Sequence, residues 1–214
     1  MTPDHASERL IAVARKAPVI PVLVIDDAGT AADLAASLVG GGLFALEITL
    51  RTPAALDAIT AMAQVPGAIV GAGTVLTPDD ARRAQDAGAT FAVSPGSSDR
   101  LMDACEAIDL PLLPGAATAT EAMRLLERGY RFQKFFPAEA NGGVPALKSL
   151  AAPLPQITFC PTGGVSPDNA AAYLSLPNTV CVGGSWVAPA AMVKAGDWGG
   201  ITALARTAAA LTVA

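Results

Sequence analysis

Lys134 is the residue of this sequence whose type and surroundings best suit covalent chemistry. It lies between RFQ and FFPA, inside an apolar run, whereas Lys16, Lys148 and Lys194 fall on predicted helices or at their edges. Burying a charged amine in such a strand is unfavourable, and the neutral amine is the form that attacks a carbonyl carbon to give a Schiff base. The alternative is a lysine that reaches water or pairs with an acid. The spacing alone leaves both open.

A second apolar segment, FALEITLRT, carries polar residues that could assist such an amine. Glu47, Thr49 and Arg51 share one face through the two-residue period of a strand. A carboxylate near the amine could move protons, and an arginine fork suits a substrate carboxylate. Thr74, in GAGTVLT, could add a hydroxyl to that carboxylate, although it could equally be a capped strand end. The alternative for Glu47 is a structural ion pair with Arg51 or Lys134.

Two late glycine turns could bind an anion. Pro161-Thr162-Gly163-Gly164-Val165 follows the seventh predicted strand, and Gly183-Gly184-Ser185 follows the eighth. Backbone amides there, with the N-terminus of a following helix, form a cradle for phosphate, and barrels commonly bind phosphate at these two positions. Each turn alone could be an ordinary connection, so the signal comes from finding both. Asn141-Gly142-Gly143 is a third glycine turn, with a flexible loop as its alternative.

The elements that must position these residues alternate along the chain. Short β-type runs and Ala-rich helical stretches follow one another about eight times, and runs such as VIPVLVI are apolar on both faces, as in a buried parallel sheet. The predicted strands are Pro18–Ile25, Leu43–Leu50, Ala68–Val75, Phe91–Pro95, Pro111–Ala116, Tyr130–Pro137, Gln156–Gly164 and Thr179–Trp186. Thr77-Pro78 and Ser166-Pro167 predict helix N-caps followed by proline in the first turn.

The spacing of these elements predicts the fold. After a leading helix of roughly 16 residues, about 25 residues remain for each strand and helix unit, a plausible barrel average. We predict an α/β fold, a (β/α)8 TIM barrel with an extra N-terminal helix, as a single domain over residues 1–214. An open doubly wound sheet with fewer strands is the alternative. Barrel enzymes place their chemistry at the C-terminal ends of the strands, where the polar residues singled out above all fall.

Composition narrows the possible partners. The net charge is −5, with 14 Lys and Arg residues and no basic cluster, which argues against nucleic acid but permits a small anionic ligand. No run reaches the ~18 apolar residues of a membrane helix. The N-terminal segment carries acids among its bases and predicts a helix, not an export signal, so we expect a cytosolic protein.

Cysteine and histidine usage bears on redox and metal chemistry. The three cysteines, Cys105, Cys160 and Cys181, are widely spaced and are expected to be buried thiols in a reducing compartment. His5 is the one histidine and lies in the N-terminal segment, so a histidine-ligated metal is disfavoured. We therefore expect neither a metal nor another cofactor.

Several segments together resemble a known family. The run KFFPAEANGG, from Lys134 to Gly143, closely resembles the lysine segment of 2-keto-3-deoxy-6-phosphogluconate (KDPG) aldolases, which are grouped with 4-hydroxy-2-oxoglutarate aldolases. The family pattern continues in GLFALEITLRT, IVGAGTVLTP, FAVSPG, PLLPGAATATE, FCPTGGVSPDN and VCVGGSWVAP. The resemblance spans residues 18 to 190 and leaves only the first and last helices without a diagnostic pattern.

The resemblance implies a role for each candidate residue. Lys134 corresponds to the Schiff-base lysine, and Glu47 to a general acid and base that acts partly through water. The other implied sites are a carboxylate site of Arg51 and Thr74, a keto-acid pocket of Pro95 and Phe136, and a phosphate site of Gly163, Gly164, Gly184 and Ser185. Thr162 matches the phosphogluconate branch, because a related galactonate branch tends to be apolar there. No catalytic position departs from the pattern.

The implied activity is that of a class I aldolase, which cleaves KDPG reversibly to pyruvate and glyceraldehyde 3-phosphate without a cofactor. The family also implies a cytoplasmic homotrimer and a place in the Entner–Doudoroff pathway. A close rival substrate is 4-hydroxy-2-oxoglutarate, which would give pyruvate and glyoxylate. More distant rivals are a phosphosugar isomerase or synthase in which Lys134 is only electrostatic, a metabolite-binding barrel without catalysis, and a metal-dependent aldolase, which the lack of histidines disfavours.

Overall fold

The computed structural model describes residues 1–213, in which strands and helices alternate. The strands are β1 Val19–Leu23, β2 Ala45–Thr49, β3 Ile69–Gly73, β4 Phe91–Val93, β5 Leu112–Leu113, β6 Gly115–Ala116, β7 Phe132–Phe135, β8 Thr158–Pro161 and β9 Val182–Gly184. The α-helices are α1 Pro3–Ala14, α2 Ala31–Gly40, α3 Ala55–Ala63, α4 Pro78–Asp86, α5 Asp99–Ala107, α6 Ala119–Arg128, α7 Gly143–Ala151, α8 Ala170–Leu174, α9 Ala190–Ala195 and α10 Trp198–Ala209. None of the helices in this part of the chain is long and apolar enough to span a bilayer.

The strands pair in parallel, which is the arrangement that the doubly apolar runs predict. One sheet has six strands in the order β5-β4-β3-β2-β1-β9, and a second has three in the order β6-β7-β8. Two single parallel bridges, Phe159–Thr179 and Thr162–Gly183, link the second sheet to the β9 segment. The fold is therefore α/β with a curled parallel sheet, in agreement with the predicted class.

The predicted fifth strand is broken into β5 and β6 by Pro114. Proline has no N–H to donate to a neighbouring strand, so regular pairing stops there. Its carbonyl still accepts a hydrogen bond of 2.9 Å from the N–H of Lys134, which keeps the segment beside β7. Most of the other predicted strands also extend beyond the observed ends. Apolar residues such as Ile25 and Val75 continue past β1 and β3 but are buried in loops, so burial alone overstates strand length.

The two predicted helix caps have different outcomes. Thr77 does cap α4: its hydroxyl accepts from the N–H of Asp80 at 3.1 Å, and the Asp80 carboxylate accepts from the N–H of Thr77 at 3.0 Å. The cap predicted at Ser166 is wrong, because α8 begins only at Ala170. The N–H of Ser166 instead donates to the side chain of Asn169 at 2.8 Å, which closes a turn before the helix.

Alternate strand residues face two different apolar cores. The larger core lies between the strands and the surrounding helices. The smaller core contains Leu10, Ala14, Ile20, Ala45, Phe91, Val93, Leu113, Phe132, Cys160 and Cys181. Many of its strand residues stand at or near the strand starts, and Leu10 and Ala14 belong to α1. The N-terminal helix therefore covers the interior of the curled sheet from the side where the strands begin.

The three cysteines are free and buried, as the sequence predicts. Burial raises the pKa of the Cys105 thiol to about 12. A hydrogen bond with Cys160, together with complete burial, raises the pKa of Cys181 well above its usual range. Cys105 and Cys181 therefore remain protonated at neutral pH, and they pack as small apolar side chains.

Candidate active site

Lys134 and Glu47 meet inside the curled sheet. The amine Nζ of Lys134, on β7, donates to Oε1 of Glu47, on β2, at 3.2 Å. Both residues are buried, with 4% and 3% of their surface exposed. The strand β2 pairs with β1 and β3, and β7 pairs with β6 and β8, so the two side chains reach each other across the interior.

The sequence analysis considered an ion pair of Glu47 with either Arg51 or Lys134, and the structure shows the pair with Lys134. The partner is Lys134, whereas Arg51 is exposed and donates to a different residue. A buried pair of this kind is a weak source of stability, because desolvation of both groups offsets most of their attraction. A proton can pass directly between the two atoms at this distance. The geometry therefore places an amine and a carboxylate together, with both side chains largely withdrawn from the surface.

Glycines make room for these side chains on the neighbouring strands. A Cβ added to Gly73, on β3, would lie within 2.8 Å of the Glu47 carboxyl carbon. A Cβ on Gly183, on β9, would overlap the side chain of Thr162 in the same way. These glycines are spacers required by their inward position. Sequence reasoning missed this role for Gly73, although GAGT marks the strand end with two glycines.

The two residues predicted to bind a carboxylate, Arg51 and Thr74, are in contact with each other. The guanidinium Nε of Arg51 donates to the hydroxyl of Thr74 at 3.0 Å. Thr74 has a φ of 57°, in the left-handed region that β-branched residues avoid. Such a conformation costs about 1–3 kcal/mol and persists where the surroundings impose it, often at functional sites. Thr49, by contrast, turns its hydroxyl to the carbonyl of Leu23 at 2.9 Å and takes no part in this contact.

The residues predicted to line the pocket lie around Lys134. The ring centroid of Phe136 is 5.2 Å from the lysine Nζ. The carbonyl group of Pro95 lies against Gly115, so that a Cβ added there would be 2.3 Å from it. Gly115 is paired with Lys134 in the neighbouring strand. Thr162 follows β8 and is buried, with 5% of its surface exposed. Phe136 therefore lies close to the amine, Pro95 lies against the glycine paired with Lys134, and Thr162 is buried just after the neighbouring strand β8.

The residues predicted to bind phosphate lie in two segments of the chain that a parallel bridge joins. Gly163 and Gly164 have φ angles of 97° and 78°, a left-handed pair that only glycine adopts readily. Within residues 1–213, the backbone N–H groups of Gly163, Gly164 and Val165 find no acceptor. Gly184 ends β9, within the predicted eighth strand, and Ser185 follows it directly. The bridge between Thr162 and Gly183 joins the two segments.

The helix N-termini expected behind these turns do not adjoin them. The helix α8 begins at Ala170, six positions after Gly164, and α9 begins at Ala190. Both helices are short, with five and six residues, so their dipoles add little at the turns. The polar groups that remain at these turns, within residues 1–213, are the backbone amides without acceptors and the hydroxyl of the exposed Ser185.

Sequence comparison places the chain among known aldolases. A family model described as "Aldolase: KDPG and KHG aldolase" matches residues 10–204. A protein of Pseudoalteromonas atlantica named 2-dehydro-3-deoxy-phosphogluconate aldolase is 53% identical over 194 residues, which is 90% of each chain.

Structure comparison gives the same result. The crystal structure of the 2-keto-3-deoxy-6-phosphogluconate aldolase of Zymomonas mobilis with 3-phosphoglycerate superposes with a TM-score of 0.92 at 50% identity, covering 97% of this chain and 98% of that one. The KDPG aldolase of Legionella pneumophila, with pyruvate captured at low pH as a covalent carbinolamine intermediate, gives a TM-score of 0.91 at 44% identity, covering 94% and 98%.

Proposed function

We propose, since the chain belongs to the KDPG and KHG aldolase family, that it reversibly cleaves 2-keto-3-deoxy-6-phosphogluconate to pyruvate and glyceraldehyde 3-phosphate. The observation that carries this proposal is the buried contact of 3.2 Å between Lys134 Nζ and Glu47 Oε1. It brings together the nucleophile and the proton carrier that Schiff-base cleavage requires. A relative with pyruvate held as a carbinolamine supports the same covalent chemistry.

Lys134 acts as the nucleophile in the proposed mechanism. Its neutral amine attacks the C2 ketone, the carbinolamine loses water, and the resulting iminium accepts electrons from the adjacent carbon. Removal of the proton from the C4 hydroxyl then breaks the C3–C4 bond, which releases glyceraldehyde 3-phosphate and leaves an enamine. Glu47 carries the protons of these steps, partly through water, and it protonates the enamine carbon. Hydrolysis of the new iminium releases pyruvate and regenerates the amine.

Substrate positioning is assigned to the surrounding residues. Arg51 and Thr74 bind the carboxylate, a role supported by the 3.0 Å contact that joins their side chains. Pro95, Phe136 and Thr162 line the keto-acid pocket beside the amine. Because these contacts are the same in the ground state and the transition state, they mainly hold the ketone in line with the nucleophile.

The phosphate group is assigned to Gly163, Gly164, Gly184 and Ser185. The support is the left-handed glycine pair with its free amides, joined through a strand bridge to the segment that carries Ser185. Backbone amides bind phosphate oxygens well because they carry partial positive charge and need no charged side chain.

The fold that supports this function is proposed to be a complete (β/α)8 TIM barrel with α1 as its extra helix, forming one domain over residues 1–214. With β5 and β6 counted as one interrupted strand, eight strands run around the interior. The bridge from Thr162 to Gly183 and the contact between Lys134 and Glu47 across the interior both favour closure. A homotrimer and a cytoplasmic location are further proposals, and they rest on the family resemblance alone.

Steady-state kinetics on two substrates test the proposed function. We expect the purified protein to release pyruvate from KDPG with a higher kcat/KM than from 4-hydroxy-2-oxoglutarate, because only KDPG carries a phosphate. The second substrate remains a candidate, since the family model is described for both KDPG and KHG aldolases. Cleavage should persist in excess chelator. Binding of KDPG without pyruvate release would contradict the proposal and favour a metabolite-binding protein, and loss of activity in chelator would favour a metal-dependent enzyme.

A further inference from the structure

A hydrogen-bonded pair that has no role in the proposed mechanism, with one buried and one exposed residue, touches the proposed phosphate turn. The hydroxyl of Tyr173, on α8, donates to Oε1 of Glu139, in the loop between β7 and α7. Tyr173 is completely buried, so its hydroxyl has exchanged water for this acceptor. Burial and the neighbouring carboxylate raise the pKa of Tyr173, so its hydroxyl stays protonated and acts as the donor.

Glu139 contacts the glycine turn through its backbone and its aliphatic stem. Its N–H donates to the carbonyl of Gly163 at 3.1 Å. A Cβ added to Gly164 would lie 2.6 Å from Cγ and 2.7 Å from Cβ of Glu139, so the stem lies directly on that glycine. Asn169 Nδ2 also donates to the carbonyl of Gly164 at 3.1 Å. Two side chains therefore contact the turn.

The carboxylate of Glu139 points away from the turn. Its Oε1 atom would lie 3.1 Å from a Cβ added to Gly143, and the Tyr173 hydroxyl would lie 3.4 Å from the same point. The nearest Glu139 atoms to Gly164 are carbons of the stem. A carboxylate that swung back over the turn would repel a bound phosphate, because two negative charges at short range repel each other.

We propose that Glu139 and Tyr173 are positioning residues for the phosphate group of the substrate. Tyr173 holds the Glu139 side chain with its stem against Gly164 and its charge directed away, which keeps the amides of Gly163 and Gly164 open to the phosphate. This inference rests on the proposed function, because it concerns only a substrate that carries phosphate. A purely structural role for the pair would affect all substrates equally.

Tyr173→Phe tests the proposal by removing only the hydroxyl. We expect KM for KDPG to rise about five- to tenfold with kcat within about twofold, and both constants for 4-hydroxy-2-oxoglutarate to stay within about twofold. Tyr130→Phe is the matched control. Tyr130 is also buried, and its hydroxyl donates to the carboxylate of Glu106 at 3.0 Å. Among residues 1–213, neither Tyr130 nor Glu106 forms a hydrogen bond with the glycine turn.

Two variants of Glu139 keep the test decisive even if Tyr173→Phe does not fold. Glu139→Ala removes the stem and should raise KM for KDPG selectively, whereas Glu139→Gln keeps the stem and an acceptor oxygen and should remain near the wild type. Equal losses on both substrates, or an unchanged KM for KDPG in whichever of Tyr173→Phe and Glu139→Ala folds, would overturn the proposal. The wild-type enzyme distinguishes failure of the phosphate site from failure of this pair. A wild type with no preference for KDPG over 4-hydroxy-2-oxoglutarate would refute the phosphate site. A wild-type preference that Tyr173→Phe and Glu139→Ala both retain would refute only the role of the pair.

Discussion

The interior of the curled sheet has two regions of opposite chemistry. Toward the strand starts it is filled by apolar side chains such as Ile20, Phe91 and Phe132, and α1 covers it. Toward the strand ends it holds Glu47 and Lys134 at 3.2 Å. Phe132 and Lys134 are two residues apart on β7 and therefore share one face of the strand. The inward face thus changes from apolar to ionisable between two successive inward residues.

The difference shows how the same strands serve stability and chemistry separately. The apolar region buries large side chains, which is the main source of folding free energy. It also closes the interior from one side, so the lysine and glutamate are shielded from solvent on that side. In the polar region, Gly73 and Gly183 replace bulky residues at inward positions and leave space for functional side chains. We therefore expect substitutions in the two regions to separate activity from stability.

Lys134→Ala should give the largest effect, a loss of turnover of at least about a thousandfold, because no other amine can form the Schiff base. The kcat for KDPG cleavage measures it. Lys134→Arg keeps a hydrogen-bond donor beside Glu47 but is a poor nucleophile, so it should be similarly inactive while remaining folded. Lys148→Ala, on the exposed face of α7, is the control and should be fully active. Retention of most of the activity by Lys134→Ala would rule out the assigned nucleophile.

Glu47→Gln should lower kcat by roughly a hundredfold to ten-thousandfold, the usual contribution of a positioned acid and base. The amide keeps the shape of the side chain, so the melting temperature should change little. Glu106→Gln provides a control, since Glu106 is a partly buried glutamate paired with Arg128, outside the site. A Glu47→Gln enzyme with wild-type kcat would show that another group carries the protons.

Phe132→Ala should leave chemistry largely intact and reduce stability by about 3–5 kcal/mol, the cost of a cavity where an aromatic side chain is removed from a core. Denaturant unfolding measures the loss, and kcat of the folded fraction should stay near that of the wild type. Phe132→Leu is the milder variant if the alanine does not fold. A collapse of kcat with unchanged stability would contradict the separation of the two regions.

Thr74→Gly should have the smallest and most diagnostic effect. Glycine adopts a φ of 57° without strain, so unfolding free energy should rise by up to about 1 kcal/mol. Loss of the hydroxyl that contacts Arg51 should lower kcat/KM about tenfold through KM. Thermal melting of the preparation tests the predicted rise in stability, and kinetics on the same preparation test the predicted fall in kcat/KM. A destabilised variant would mean that the threonine conformation is not strained.

The elements and their parallel class were predictable because strand burial and helix periodicity are local signals. Lys134 stood out because a lysine interrupts an otherwise apolar run. The start of α8 was mispredicted at Ser166, because Ser-Pro is equally suited to a turn, and here Asn169 closes that turn. The break at Pro114 was also missed, since a proline at a strand interruption looks like one within a loop.

Contacts between distant parts of the chain were beyond the reach of local patterns. Glu47 and Lys134 are 87 positions apart, and only their inward register on β2 and β7 brings them together. The sequence could suggest this pair only as one of two alternatives. The contact between Glu139 and Tyr173, 34 positions apart, gives no sequence signal, because both residues are ordinary in a loop and a helix.

Reductive trapping of pyruvate tests the central claim most directly. The protein is incubated with excess pyruvate and borohydride, and the adduct is located by peptide mass spectrometry, with Lys134→Arg as the control. The account predicts one reduced pyruvyl group on Lys134 of the wild type and none at this position in the variant. Folded wild-type protein that gains no adduct, or gains it on another lysine, would contradict the Schiff-base assignment.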